Sequence, residues 1–176
     1  MSEMRFWISA LCVAGMLLAG CVRQAPQIPS RKMGTAPKVD STALALMEMN
    51  QRMAVAADKL LAQRVQQLSE PYALYEHNTW WYVIDRGDVT GAKPQPNEEW
   101  TVHMRVMNLD GKLLEDTERS YRIGKGELPP GVDDNIGELY RGGNARLLVP
   151  WYAAFGLQGT ACVPPYENVM IEIELK

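Results

Sequence analysis

The sequence predicts an α+β fold in which a twisted antiparallel sheet curves around one short helix. The final residues, Val169–Leu175, alternate apolar and polar side chains, which is typical of a strand with one buried face. Asp110-Gly111 follows a β-rich run and is a strong hairpin-turn signal. A short helical pattern over Val132–Tyr140 is closed by Gly142-Gly143. A chain of 176 residues with 47% hydrophobic residues is long enough for one globular domain plus an amino-terminal segment.

The first element in the chain is a secretory signal over residues 1–20. Arg5 precedes an apolar run, Phe6–Leu18, which is shorter than the roughly 20 residues of a transmembrane helix. Leu18-Ala19-Gly20-Cys21 follows and places small residues directly before a cysteine. This pattern predicts a bacterial lipoprotein that is lipidated at Cys21 and anchored in the cell envelope, on the periplasmic side of the outer membrane. An uncleaved anchor with an incidental cysteine is the alternative.

Cysteine, histidine and charge content exclude several other classes. Cys12 would leave with the signal and Cys21 would carry lipid, so Cys162 alone would remain as a thiol, interpreted as a small hydrophobic residue. The net charge of -3, with no basic cluster among aromatic residues, argues against nucleic-acid binding. His77 and His103 lie on different predicted elements without partners at zinc-ligand spacing, so we expect no metal and no cofactor.

A tether and a helix come next. Residues 21–42 are rich in Pro, Ser, Lys and Gln and lack apolar periodicity, which predicts a flexible spacer. Residues 43–70 carry apolar side chains at helical spacing and end before Pro71, which predicts an amphipathic helix. Its apolar stripe either packs on its own domain or pairs with a second copy in a homodimer or with another partner, because methionine-rich faces adapt to irregular surfaces.

Five runs of β-branched, aromatic or alternating residues then predict the strands of the sheet. They are Trp80–Asp85, Trp100–Val106, Ser120–Ile123, Asn144–Val149 and Val169–Leu175. Between the first two, residues 91–97 contain Pro94 and Pro96, which predicts a surface loop.

The last third of the chain contains five short patterns in a fixed order. They are the short helix led by Gly131, the run Ala145-Arg146-Leu147-Leu148-Val149-Pro150, then Ala154-Phe155-Gly156, Val163-Pro164-Pro165 and a final strand with Glu174-Leu175. This order resembles the FKBP-type peptidyl-prolyl cis-trans isomerases. The chain also looks like the FKBP-like lipoproteins associated with gliding motility. The resemblance implies an FKBP-like domain over residues 73–176 and isomerase activity on X-Pro bonds.

The resemblance also implies where the prolyl pocket lies, and there the chain is heavily substituted. The implied catalytic positions are Met104, Glu115 and Phe155, where the family carries Tyr, Asp and Tyr. The implied substrate-binding positions are Leu114, Leu128, Pro129, Val132, Val163 and Ile171. Pro129 has no N–H, so a backbone donor that the family uses to hold a substrate carbonyl is missing. We therefore expect a degenerate pocket with weak activity.

Two functions are consistent with this sequence. The first is an exported folding helper that isomerises X-Pro bonds in unfolded or proline-containing envelope proteins. The alternative is a catalytically inactive FKBP-like lipoprotein that serves as a binding or assembly module of the envelope.

Overall fold

A computed structural model describes residues 41–176, and the predicted signal, Cys21 and residues up to 40 lie outside the described part. The sheet contains β1 (Ala73–Leu74), β2 (Trp80–Asp85), β3 (Glu99–Asn108), β4 (Leu113–Arg122), β5 (Asn144–Val149) and β6 (Val169–Leu175). The α-helices are α1 (Ser41–Gln66) and α2 (Pro130–Asp133), and three 3₁₀ turns are Glu76–Asn78, Ile136–Glu138 and Trp151–Ala153. Within residues 41–176, no helix is both long enough and apolar enough to cross a bilayer.

The six strands form one antiparallel sheet in the order β1-β2-β5-β6-β3-β4. The last strand of the chain, β6, therefore lies inside the sheet between β5 and β3. Its side chains alternate as the sequence predicts, with Val169, Ile171, Ile173 and Leu175 buried and the residues between them half-buried. The bounds of β2, β5 and β6 agree with the sequence prediction to the residue.

The short helix differs from its prediction. Instead of one helix over Val132–Tyr140, the chain forms the four-residue α2, passes through Asn135, and then makes a 3₁₀ turn. The Asn135 side chain explains the interruption, because its Nδ2 donates to the Gly131 carbonyl at 3.1 Å. That carbonyl would otherwise accept the helical N–H of Asn135, which donates to Val132 O instead.

Strand β4 is also longer than the predicted Ser120–Ile123. It pairs with β3 from Arg122, opposite Glu99, back to Leu113, opposite Met107. Its charged side chains are poor strand formers, so composition hides most of the strand. They are tolerated because β4 lies at the edge of the sheet, with one side exposed to solvent.

The buried residues of helix α1, which pack on its own domain, lie in its second half. Ala57 and Leu61 are 4% and 0% exposed, so the packing interpretation of its apolar stripe holds for this half. Near the start of α1, Leu46 and Met47 are 51% and 68% exposed. The helix begins at Ser41, so the last two residues of the predicted tether are helical.

Cys162 does not fill an apolar position. It is an exposed, free cysteine in the segment between β5 and β6, whereas the neighbouring Val163 is buried. The hydrophobic interpretation of Cys162 is therefore incorrect.

Strand β6 gives the sharpest test of this core. Ile173 is 2% exposed and lies in register with Met104 on β3 and Ala145 on β5. We expect Ile173→Asp to lower the free energy of unfolding by about 3–5 kcal/mol, because the carboxylate is buried without a partner. Urea denaturation followed by circular dichroism measures this. Ser120→Asp, which places the same charge on the exposed side of β4, should cost much less; equal losses would contradict the assigned face of β6.

Candidate functional site

The structure brings most of the pocket positions implied by the sequence into one apolar cluster. Five of them belong to the buried core, namely Met104, Leu128, Val132, Val163 and Ile171. Two more, Leu114 and Phe155, are half-buried and pack against that core. These residues come from strands β3, β4 and β6, from α2 and the residues just before it, and from the segment between β5 and β6. These positions therefore belong to the main hydrophobic core or, for Leu114 and Phe155, pack against it from a partly exposed position.

Glu115 lies at the edge of this cluster. It is in register with Val106 on β3, and residues paired across antiparallel strands point to the same face of the sheet. Val106 is fully buried and Glu115 is half-buried, so its carboxylate lies on the core-facing side of β4. An acidic residue therefore lies on the inner face of β4 at the position where the resemblance implies Asp.

The rest of the inner face of β4 includes an aromatic residue that the sequence analysis missed. Tyr121 is 1% exposed and pairs with Trp100, which is also buried. The Arg119 guanidinium lies 4.5 Å from the centre of the Tyr121 ring, and a hydrogen bond to Tyr121 is the main cause that raises the pKa of Arg119. The alternation of Arg119 and Tyr121 on one face of a strand was the available signal. A strand that begins at Ser120 leaves out Arg119, so the alternation of Arg119 and Tyr121 is not visible in that prediction.

Pro129 forms the start of α2. Its carbonyl accepts from the backbone N–H groups of Val132 at 2.8 Å and of Asp133 at 2.9 Å, and Pro130 takes the first helical position, where proline is favoured. Pro129 is buried, whereas the next residue, Pro130, is exposed. Its nitrogen carries no proton, and this part of the site presents no N–H at residue 129.

Gly131 allows α2 to approach the sheet closely. A Cβ at this position would lie 2.5 Å from Thr79 Oγ1 and 2.8 Å from Val149 Cγ1. Next in the helix, the Asp133 carboxylate accepts from the backbone N–H groups of Gly124 at 2.9 Å and Gly126 at 3.2 Å. Asp133 thus ties the loop after β4 to α2, a role that sequence spacing alone did not indicate.

The turn before β2 contributes a second polar contact to α2. His77 Nε2 and Asp134 Oδ2 are 2.5 Å apart, and Glu76 brings a third potential metal ligand within 4.8 Å of them. All three side chains are exposed. Sequence spacing gave no sign of this grouping, because Asp134 is 57 positions from His77. The hydrogen bond joins the Glu76–Asn78 turn to the end of α2.

Comparisons with known proteins agree with this geometry. Residues 90–176 match the family model for FKBP-type peptidyl-prolyl cis-trans isomerases. The chain is 24% identical over 94 residues to peptidyl-prolyl cis-trans isomerase FKBP15-3 of Arabidopsis thaliana, covering 51% of this chain and 66% of that protein. It is 27% identical over 99 residues to FK506-binding protein 4 of Neurospora crassa, covering 53% of this chain and 21% of that protein. The match therefore spans less than two thirds of either relative.

Solved structures show the same fold. FkpA from Escherichia coli aligns with a TM-score of 0.58 and 23% identity, covering 77% of this chain and 63% of FkpA. A peptidyl-prolyl cis-trans isomerase from Pseudomonas syringae pv. tomato aligns with a TM-score of 0.58 and 20% identity, covering 70% of this chain and 92% of that one. AtFKBP13 aligns with a TM-score of 0.53 and 20% identity, covering 60% and 96%. Residues 90–176 therefore belong to the FKBP-type peptidyl-prolyl cis-trans isomerase family.

The close approach at Gly131 leads to a testable expectation. Gly131→Ala should lower the free energy of unfolding by about 1–3 kcal/mol, because its Cβ would overlap Thr79 and Val149 in a packed region. Gly137→Ala is the matched control, since the nearest atom to its Cβ would be Pro94 O at 3.9 Å. Thermal and urea unfolding of the two variants compare them directly. Equal stability would mean that α2 does not depend on this contact.

Proposed function

We propose that this protein is a weak peptidyl-prolyl cis-trans isomerase that assists the folding of exported envelope proteins. The observation that carries the proposal is an FKBP fold whose buried core contains Met104, Val132 and Ile171, with the half-buried Phe155 and Leu114 packed against that core. Its substrates are X-Pro bonds in unfolded or extended chains.

Prolyl isomerisation fits a site of this kind because it needs no nucleophile, metal or proton transfer. The barrier of about 18–20 kcal/mol comes from the loss of amide conjugation as the bond twists. The twisted amide is less polar than the planar one, so a water-excluding apolar site favours the transition state over the ground state. In this proposal the Phe155 ring and Leu114 hold the proline ring, while Val132 forms the floor beneath it.

The same pocket explains why the activity should be weak. Oriented donors stabilise the transition state, and the loss of one such donor costs on the order of 10²–10³ in rate in enzymes where it has been removed. Pro129 offers no such donor. Phe155 retains an aromatic ring but has no hydroxyl, and Met104 replaces a ring with a flexible thioether. Tyr121 and Trp100 retain aromatic area deeper in the same face of the sheet.

The activity is tested with the purified chain from Val22 onwards in two assays: a short X-Pro peptide, and the proline-limited refolding of an unfolded protein. We expect slow catalysis in the refolding assay. Pro129→Ala, which restores an N–H, should raise kcat/KM by about tenfold or more. Pro130→Ala is the matched control because it also replaces a proline but at an exposed position, and it should have little effect.

The outcomes separate the two functions. If the chain is inactive in both assays but still binds an unfolded, proline-containing protein, the alternative of a binding or assembly module is favoured. If the unmodified chain is fast, or if both proline variants gain equally, the role assigned to residue 129 is refuted.

Location in the envelope is part of the same proposal and is supported by Leu18-Ala19-Gly20-Cys21 after the apolar run. We expect lipidation at Cys21, anchoring on the periplasmic side of the outer membrane. Cys21→Ser should release the protein into the soluble fraction or leave the precursor uncleaved, as membrane fractionation and intact-mass measurement will report. An unchanged mass and distribution would exclude the lipid anchor.

The exposed half of α1 supports self-association within this proposal. Leu46 and Met47 lie one helical turn before Asn50, which contacts Tyr166 of the domain. They are exposed, but they lie on the same side of α1 as the buried Ala57 and Leu61. Leu46→Glu combined with Met47→Glu should shift a dimer to a monomer in sedimentation velocity. Val55→Glu, at an exposed position on another side of α1, is the control. A monomer at every concentration of the unmodified chain would refute the homodimer.

A further inference from the structure

The segment between β5 and β6, residues 150–168, carries two of the pocket positions, Phe155 and Val163. It contains one 3₁₀ turn but no strand, so its shape depends on specific contacts. Its ends are tied together, because Trp151 N donates to Asn168 Oδ1 at 2.9 Å. The position of the Phe155 ring therefore depends on what holds this loop from outside.

Helix α1 contacts this loop near both of its ends. Tyr152 Oη donates to Asp58 Oδ1 at 2.5 Å, and Tyr166 Oη donates to Asn50 Oδ1 at 3.3 Å. Asn50 and Asp58 are just over two helical turns apart, about 12 Å along the axis. One stretch of α1 thus contacts the loop at two tyrosines. Tyr152 lies shortly before Phe155 in the sequence, and Tyr166 lies shortly after Val163.

The contact at Asp58 is part of a closed group of three side chains. Asn78 Nδ2 donates to Tyr152 Oη at 3.0 Å and to Asp58 Oδ2 at 3.1 Å. The phenol is consequently a donor to Asp58 and an acceptor from Asn78. Burial, together with the Asp58 carboxylate, raises the pKa of Tyr152 to about 12, so the phenol keeps its proton throughout the neutral range. The buried Ala57 and Leu61 anchor α1 beside this group.

The group also reaches the other wall of the site. Asn78 ends the Glu76–Asn78 turn, and His77 in that turn is hydrogen-bonded to Asp134 after α2. Helix α1 is therefore linked to the loop that carries Phe155 and to the helix that carries Val132.

We infer that Asp58, Asn78 and Tyr152 are positioning residues through which α1 holds the loop of residues 150–168, and with it Phe155, in place beside the prolyl site. This inference rests on the proposed isomerase function and adds to it a role for the amino-terminal helix. A loop that is free to shift would carry the Phe155 ring away from the substrate, and small misplacements of contacting groups are costly to catalysis.

The test uses the purified full chain with Tyr152→Phe, Asp58→Ala and the double substitution. Tyr140→Phe, at a half-buried tyrosine outside the loop, and Glu48→Ala, at an exposed position in the first half of α1, are the matched controls. Hydrogen exchange compares amides of the loop with amides of β5 and β6. Isomerase kinetics on a refolding protein give kcat and KM separately.

We expect Tyr152→Phe to raise exchange in the loop about tenfold while exchange in β5 and β6 changes less than twofold. We also expect kcat/KM to fall roughly threefold to tenfold. The double substitution should be no worse than the more severe single one, because both remove the same contact. Neither control should change loop exchange or kinetics.

Three results would overturn the inference: unchanged loop exchange in Tyr152→Phe, an equal rise across loop and strands, or a looser loop with unchanged kinetics. The second result would mean that the residues only contribute to global stability. If the unmodified chain has no isomerase activity, the proposed function fails, and the hydrogen-exchange comparison still decides whether α1 orders the loop.

Discussion

The structure depends on the placement of β6 between β5 and β3. Its register with β3 and with β5 lets the alternating side chains of one strand close the core against both neighbours. The pairing of β6 with β3 joins strands that are separated in sequence by β4, α2 and β5, and non-local pairing of this kind slows folding. Ile171 lies in the same buried core as Met104 and Val132, so β6 also supports the core positions of the candidate site.

The parts of the fold that sequence predicted well have local signals. Strand β6 could be assigned to the residue because its alternation is complete, and β2 because it is a compact run of aromatic and β-branched residues. The interruption of the short helix at Asn135 could not be predicted, since it depends on a side chain competing for one carbonyl. The charges of β4 made it resemble a loop, and only its pairing with β3 reveals a strand of ten residues.

The candidate site shows the same division. The family resemblance pointed to positions such as Val132, which lies in the buried core, and Phe155, which packs against it. The group of Asp58, Asn78 and Tyr152 had no sequence signal, because its members are separated by 20 and 74 positions and lie in different elements. Polar contacts between distant segments require the three-dimensional fold before they can be recognised.

The two edges of the sheet determine how readily an extended polypeptide could add to it as a further strand. Extended polypeptides pair readily with a long, exposed, apolar strand edge. Here one edge is β1, which has only two residues, and the other is β4, where Glu115, Asp116 and Glu118 follow in sequence. The carboxylates of β4 discourage the addition of a foreign strand at that edge, whereas β1 covers only Trp80 and Trp81 of β2. Under the proposed isomerase function, the charged edge at β4 would limit strand pairing between this protein and an extended substrate.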